Sequence, residues 1–252
     1  MRQREYSTRT VVLIGLFAAI CYVSLYLRIP IPSPVGRPFL HMGNMFVILA
    51  ALLFNGFIGG AAGSLGMGLY DILNGYGSSA LRTFILKFGI GLVAGKVAAK
   101  KHQPGSTPPV KWIFIAGAAF FLIGAALAVT AGIKGYQINV PGVERELVIS
   151  PALYILALVL GVALAAAGFF SKRYSVEVQY AILGAVAGIA FNVAGEFLYK
   201  AAVLLIAGSS FYPAVLASAF SLPATLINGV ASIIVAVALY IPLSRTVAKY
   251  KV

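Results

Sequence analysis

HMGNMFVILAALLFNGFIGGAAGSLGMGLYDILNGY, residues 41 to 76, decides the fold. Across this stretch Asp71 is the one side chain charged at neutral pH. The apolar residues follow neither the alternation of a half-solvated strand nor the single stripe of a soluble amphipathic helix. NGFIGG at 55 to 60 reads as a tight glycine turn with almost no loop, so two apolar helices follow back to back. Each is shorter than the roughly 20 residues of a simple span, which implies tilted helices or helices surrounded by protein.

The same character runs outward through the chain. Of 252 residues, 61% are hydrophobic and 10% charged, and the mean hydropathy is +0.97. A soluble domain carries about 25% charged residues, so most of this surface does not face water. Eight candidate spans cover residues 10 to 28, 41 to 56, 58 to 75, 81 to 99, 111 to 132, 152 to 170, 177 to 207 and 213 to 243. The chain reads as one all-α transmembrane domain, a polytopic helical bundle, over 1 to 252. The last two candidates exceed the bilayer thickness, and Pro213 and Pro223 favour a boundary or kink in the final one. MRQREYSTR leads into a first run long enough to remain as a helix, with no small-residue cleavage site before a soluble domain.

The formal charge is +13, which in a soluble protein would raise nucleic-acid binding. Its placement argues instead for an anionic membrane surface and no nucleic-acid partner. With eight spans, one side collects Arg2, Arg4, Arg9, Lys96, Lys100, Lys101, Lys111, Lys172, Arg173, Arg245, Lys249 and Lys251. The other receives Arg28, Arg37, Arg82, Lys134 and Arg145, with Lys87 and Lys200 inside apolar segments. The rich side is expected to be cytoplasmic, and both termini with it.

Ionisable and amide groups inside apolar spans are costly and need a partner, water or a purpose. Asn44, Asp71, Asn74, Lys87 and Asn228 lie in such positions. Asn192, Glu196 and Lys200 recur at i, i+4 and i+8 on one helix face. In the eight-span layout they converge in the outer half of one bundle. Two readings stand: structural ion pairs, Asp71 with Lys87 and Glu196 with Lys200, or a pocket for a small polar solute. Tyr22, Tyr26, Phe39, Tyr70, Tyr76, Phe84 and Tyr199 supply flat walls for a ring. IPIPSPVGRPFL at 29 to 40 is stiffened by four prolines, suiting a cap over the pocket or a rigid crossing. His41 at its end suits a solute contact or a structural hydrogen bond.

Glycines 59, 60, 63, 66 and 68, with 89, 91 and 95, are spaced for close helix packing; Gly15 and Ala19 form a small-xxx-small pair. Cys21 has no partner for a disulfide, and two histidines leave little for a metal site. No nucleophile, metal, nucleotide-binding loop or general-base constellation stands out, so no catalysis and no cofactor are expected. Solute accumulation driven by ATP would need another subunit.

The 41 to 76 block, with TFILKFGIGLVAG at 83 to 95, AILGAVAGIAFNVAGEFLYKA at 181 to 201 and LPATLINGVASIIVAVALYIPL at 222 to 243, resembles a known family. It is that of the substrate-binding S components of energy-coupling factor (ECF) vitamin transporters, in the pyridoxine or hydroxymethylpyrimidine branch. The resemblance implies a prokaryotic plasma-membrane protein with a six-helix core and a site for a small vitamin or precursor near the outer surface. It implies docking on a transmembrane coupling protein that works with two ABC-type ATPases, through small residues on the first helix, here Gly15, Ala18 and Ala19. Expected pocket residues are Asn44, Asp71, Asn74, Lys87, Asn192, Glu196, Tyr199 and Asn228. The chain departs from the family pattern at 104 to 173, which reads as a two-helix insertion. A standalone proton-coupled carrier, with Glu196 or Asp71 titrating, and a noncatalytic assembly protein holding partners on its glycine faces are the competing readings.

Overall fold

The computed structural model describes residues 7–30, 39–103, 105–134, 137–138, 147–148 and 151–249. The central part of the proline-rich connection, 31–38, and most of the connection after residue 134 lie outside the described residues.

The described chain is helical apart from two short ribbons. Helix α1 (Thr8–Ser24) begins at Ser7, whose hydroxyl caps the Thr10 amide. Strands β1 (Ile29–Pro30) and β2 (Phe39–Leu40) pair antiparallel and lead into α2 (Gly43–Leu53), α3 (Gly56–Leu73) and α4 (Gly77–Ala98). A 3₁₀ turn (Ala99–His102) and a linker precede α5 (Val110–Lys134). Ribbon β3 (Gln137–Ile138) and β4 (Leu147–Val148), also antiparallel, stands between α5 and α6 (Pro151–Phe169). The chain closes with α7 (Val176–Ile206), α8 (Phe211–Phe220) and α9 (Leu222–Lys249).

By length and apolar composition, 110–133, 176–206 and 211–249 are long enough to cross a membrane, and α1, α2 and 154–169 are shorter apolar segments. Helix α2 has only eleven residues, about 16 Å at 1.5 Å each. Nine of them are buried, so its neighbours rather than lipid surround it and its shortness exposes no backbone. It packs on α1, α3, α4 and α9. Outside it, α3 packs on α4, α4 on α7, and α1 on α3. Helix α1 turns Val11, Val12 and Leu16 outward. Helices α5 and α6 pack chiefly on each other, and touch the rest through α7 and α9.

Two local readings change. The turn between α2 and α3 is only Phe54 and Asn55, and the glycines after it are already helical. Asn55 caps α3 by accepting from the Ile58 amide at 2.9 Å, which frees the glycines for a different task. A Cβ on Gly91 would lie 2.1 Å from the Gly60 nitrogen, and one on Gly95 would lie 2.3 Å from the Gly56 nitrogen. Helices α3 and α4 therefore cross backbone to backbone. The candidate span 213 to 243 is also broken, at Ser221, into α8 and α9. Pro213 and Pro223 each fall in the first turn of a helix, where a missing amide hydrogen costs nothing. Helix α7 by contrast runs unbroken for 31 residues.

At one end of the bundle the end of α4, the start of α7 and the late part of α9 are tied together. Lys101 pairs with Glu177 at 2.5 Å and donates to the Tyr240 hydroxyl at 2.9 Å, while Tyr240 donates to Glu177 at 2.6 Å. The opposite end holds the polar cavity.

Candidate functional site

The cavity, about 370 Å³, opens where α2 begins, α3 ends, and α8 meets α9. Two polar stripes face it. Asn192, Glu196 and Lys200 come from α7; Ser79, Thr83 and Lys87, again at i, i+4 and i+8, come from α4. Helix geometry puts residues four apart on one face, so each stripe presents its polar groups in a row. Asn44 enters from the first turn of α2, Asp71 from the last turn of α3, and Asn228 from α9.

Of the two readings, the ion pairs Asp71 with Lys87 and Glu196 with Lys200 do not form. Arg82, on α4, bridges to Glu196 at 3.3 Å and lies over the Tyr199 ring, 5.4 Å from its centroid. Asp71 accepts the Thr83 hydroxyl at 2.5 Å. Lys87, 6% exposed, donates to Asn192 Oδ1 at 3.1 Å and has no carboxylate within salt-bridge distance among the described residues. The reason is register. Lys200 and Glu196 share a helix and both look into the cavity, whereas Arg82 reaches across from α4 with its planar fork.

The expected pocket residues divide. Asn44, Asp71, Lys87, Asn192, Glu196 and Asn228 line the cavity; Asn74 and Tyr199 do not. Asn74 ends α3, where its side chain donates to the Tyr70 carbonyl at 3.0 Å and accepts from the Tyr26 hydroxyl at 3.3 Å. Tyr199 backs Arg82 from behind. Asn228 spends both ends of its amide on backbone: Oδ1 accepts from the His41 amide at 2.9 Å and Nδ2 donates to the Phe39 carbonyl at 2.7 Å. It therefore anchors the 39–41 segment to α9 beside the cavity.

Sequence reasoning missed Arg82, Thr83 and Ser79 as pocket residues, and it read Arg28 only as a charge. The repeated four-residue spacing on α4 is the signal that would have found Ser79 and Thr83. Arg28 donates to the Tyr70 and Tyr76 hydroxyls at 3.4 and 3.2 Å and lies 5.3 Å from the centroid of Phe39. It thus gathers the aromatic wall, in which Phe39 and Tyr76 line the cavity itself.

The cavity wall leaves specific polar capacity open. Asn44 is 2% exposed, and among the described residues its Oδ1 accepts no hydrogen bond and Arg82 Nε donates none. A buried donor or acceptor left without a partner costs about 1–3 kcal/mol. Three cations, Arg82, Lys87 and Lys200, face two carboxylates, Asp71 and Glu196. Among the described residues, no group of three or more His, Cys, Asp or Glu is placed to hold a metal ion.

The small residues expected to dock a partner also divide. Gly15 and Ala19 are exposed on α1, and a Cβ at Gly15 would meet nothing within 4 Å among the described residues. Ala18 turns toward α3, where its carbonyl closes on Gly66.

Comparison with known proteins follows the same lines. An uncharacterized protein in gap 3'region of Pyrococcus woesei is 38% identical over 77 residues, 31% of this chain and 50% of that protein. The chain thus spans about half the length of that curated relative. No solved structure matches significantly. The family model described as "ECF-type riboflavin transporter, S component" matches residues 5–165, well over half of the 252 residues and including α5 and most of α6. This corrects the branch: the matching family is the riboflavin one, in place of the pyridoxine or hydroxymethylpyrimidine branch. The chain belongs to the ECF-type riboflavin transporter S-component family and is a prokaryotic multi-pass membrane protein.

Proposed function

We propose that the cavity binds riboflavin, or a flavin of the same neutral type, for uptake. The observation that carries the reading is the buried Asn44 carbonyl, unpartnered among the described residues, in a cavity that also holds the buried Lys87 ammonium. An isoalloxazine ring offers an imide N–H between two carbonyls, and these groups complement an acceptor and a strong donor. Phe39 and Tyr76, tilted 53° to each other, offer aromatic faces to the ring, and the Asp71, Glu196 and Lys200 side chains suit the hydroxyls of a polyol tail. The family's name supports the same solute.

In this reading the basic end of the bundle is cytoplasmic and the cavity faces out, following the distribution of Lys and Arg. The outward face of α1 around Gly15 and Ala19 meets the coupling protein, and separate ATPases supply the energy. The α5–α6 hairpin stands at the side of the solute-binding core, and none of its described residues lines the cavity.

Riboflavin fluorescence tests the assignment. Titrating the detergent-purified protein into riboflavin should quench the flavin saturably at one per chain. Quenching that stays linear and unsaturable would remove riboflavin as the solute.

A further inference from the structure

A second cavity, about 620 Å³, lies between α5, α7 and the end of α4, well away from the polar site. Its wall is almost wholly apolar: Ala116, Ala119 and Ile123 on α5 face Leu183 and Ala187 on α7. The small alanines leave the space between the two helices unfilled, and a crevice stays open there. Its α5 wall runs from Trp112 to Ile123, a rise of about 16 Å at 1.5 Å per residue. Half of a roughly 30 Å hydrocarbon core is about 15 Å, so the crevice has the depth of one leaflet.

The end with polar chemistry is the basic end of the bundle. Lys100 lines the mouth, and the Lys111 ammonium lies 5.7 Å from the centroid of the Trp112 ring. Both lysines are exposed and, among the described residues, neither is salt-bridged. The nearby carboxylate, Glu177, is already held by Lys101 and Tyr240. Tyr180, also at the mouth, donates to the Thr107 carbonyl at 3.2 Å and ties the linker before α5 to α7. A tryptophan beside free lysines at the head of a leaflet-deep apolar slot matches the chemistry of a lipid with an anionic headgroup.

We propose that this crevice is a lipid site holding one hydrocarbon chain of an anionic phospholipid, with its phosphate at Lys100 and Lys111. The lipid fills the gap between the α5–α6 hairpin and the remainder of the bundle.

Trp112 is the sole tryptophan of the chain, so its fluorescence reports this mouth alone. The full chain is reconstituted in phosphatidylcholine bilayers with a minority of phosphatidylglycerol. Bromine is placed either on the phosphatidylglycerol chains or on an equal fraction of the phosphatidylcholine chains. Brominated phosphatidylglycerol is expected to quench Trp112 with an apparent preference on the order of tenfold, since two lysines near the surface each attract the headgroup. The K100Q/K111Q double variant should erase the preference without changing thermal unfolding. Equal quenching by the two lipids in the unaltered protein overturns the proposal, as does a preference that survives the double variant. Protection of Trp112 from both lipids on adding the coupling subunit would assign the crevice to a protein partner and overturn it equally.

Discussion

Lys87→Met is expected to weaken flavin binding about 30- to 150-fold, because a hydrogen bond to a charged group contributes about 2–3 kcal/mol. The ammonium is 6% exposed and touches Asn192 Oδ1 at 3.1 Å, with no carboxylate within salt-bridge distance among the described residues. Burying such a charge opposes folding, and a bound carbonyl offsets that cost only when the solute is present. Methionine keeps most of the volume and removes the charge. The empty variant should therefore melt no lower than the parent, while the stabilisation gained on adding riboflavin disappears. Riboflavin titration and paired thermal melts, with and without solute, separate the two effects. An unchanged dissociation constant would show that the Lys87 ammonium does not meet the solute.

The pocket was partly legible because polar groups in apolar helices have few innocent explanations. Asn192, Glu196 and Lys200 declare their shared face through their spacing alone, and the structure puts all three on the cavity. Arg82 was not legible in that way. It sits five residues before Lys87, off the four-residue stripe, and reaches Glu196 only because α4 packs on α7. Partner choice across helices depends on rotation and register, which hydropathy does not encode. The same gap explains Asn74 and Tyr199: each has the right chemistry, yet one ends α3 and the other supports Arg82 from behind. Asn228 shows a further limit, since an amide in a span satisfies backbone as readily as solute.

The glycine block teaches the complementary lesson about the fold. Its apolar content marks membrane helices, but NGFIGG invites a turn reading that Asn55 alone satisfies. Glycine has two uses in a membrane helix pair, bending the chain and admitting a neighbouring backbone. Only the partner helix distinguishes them, and that partner, α4, carries its own Gly91 and Gly95 at the matching positions.

Gly91→Leu is accordingly expected to disrupt the bundle, costing about 3 kcal/mol or more, the upper range for overpacking a tight core. A Cβ there would lie 2.1 Å from the Gly60 nitrogen and 2.4 Å from its Cα, so the obstruction is backbone and no rotamer change relieves it. Helices α3 and α4 must separate, and they carry Asp71, Arg82, Thr83 and Lys87 into the cavity, so solute binding is lost along with the crossing. Gly15→Leu supplies the contrast. Among the described residues, nothing lies within 4 Å of its Cβ position on the outer face of α1, so melting temperature and riboflavin affinity should both stay at the parent's values. Its effect should appear only when the coupling protein is added, as weaker assembly. Thermal melts and size-exclusion profiles of the two variants in one detergent test the pair. A Gly91→Leu protein that melts like the parent would mean that α3 and α4 do not meet at their glycines, and the cavity geometry built on that crossing would fall with it.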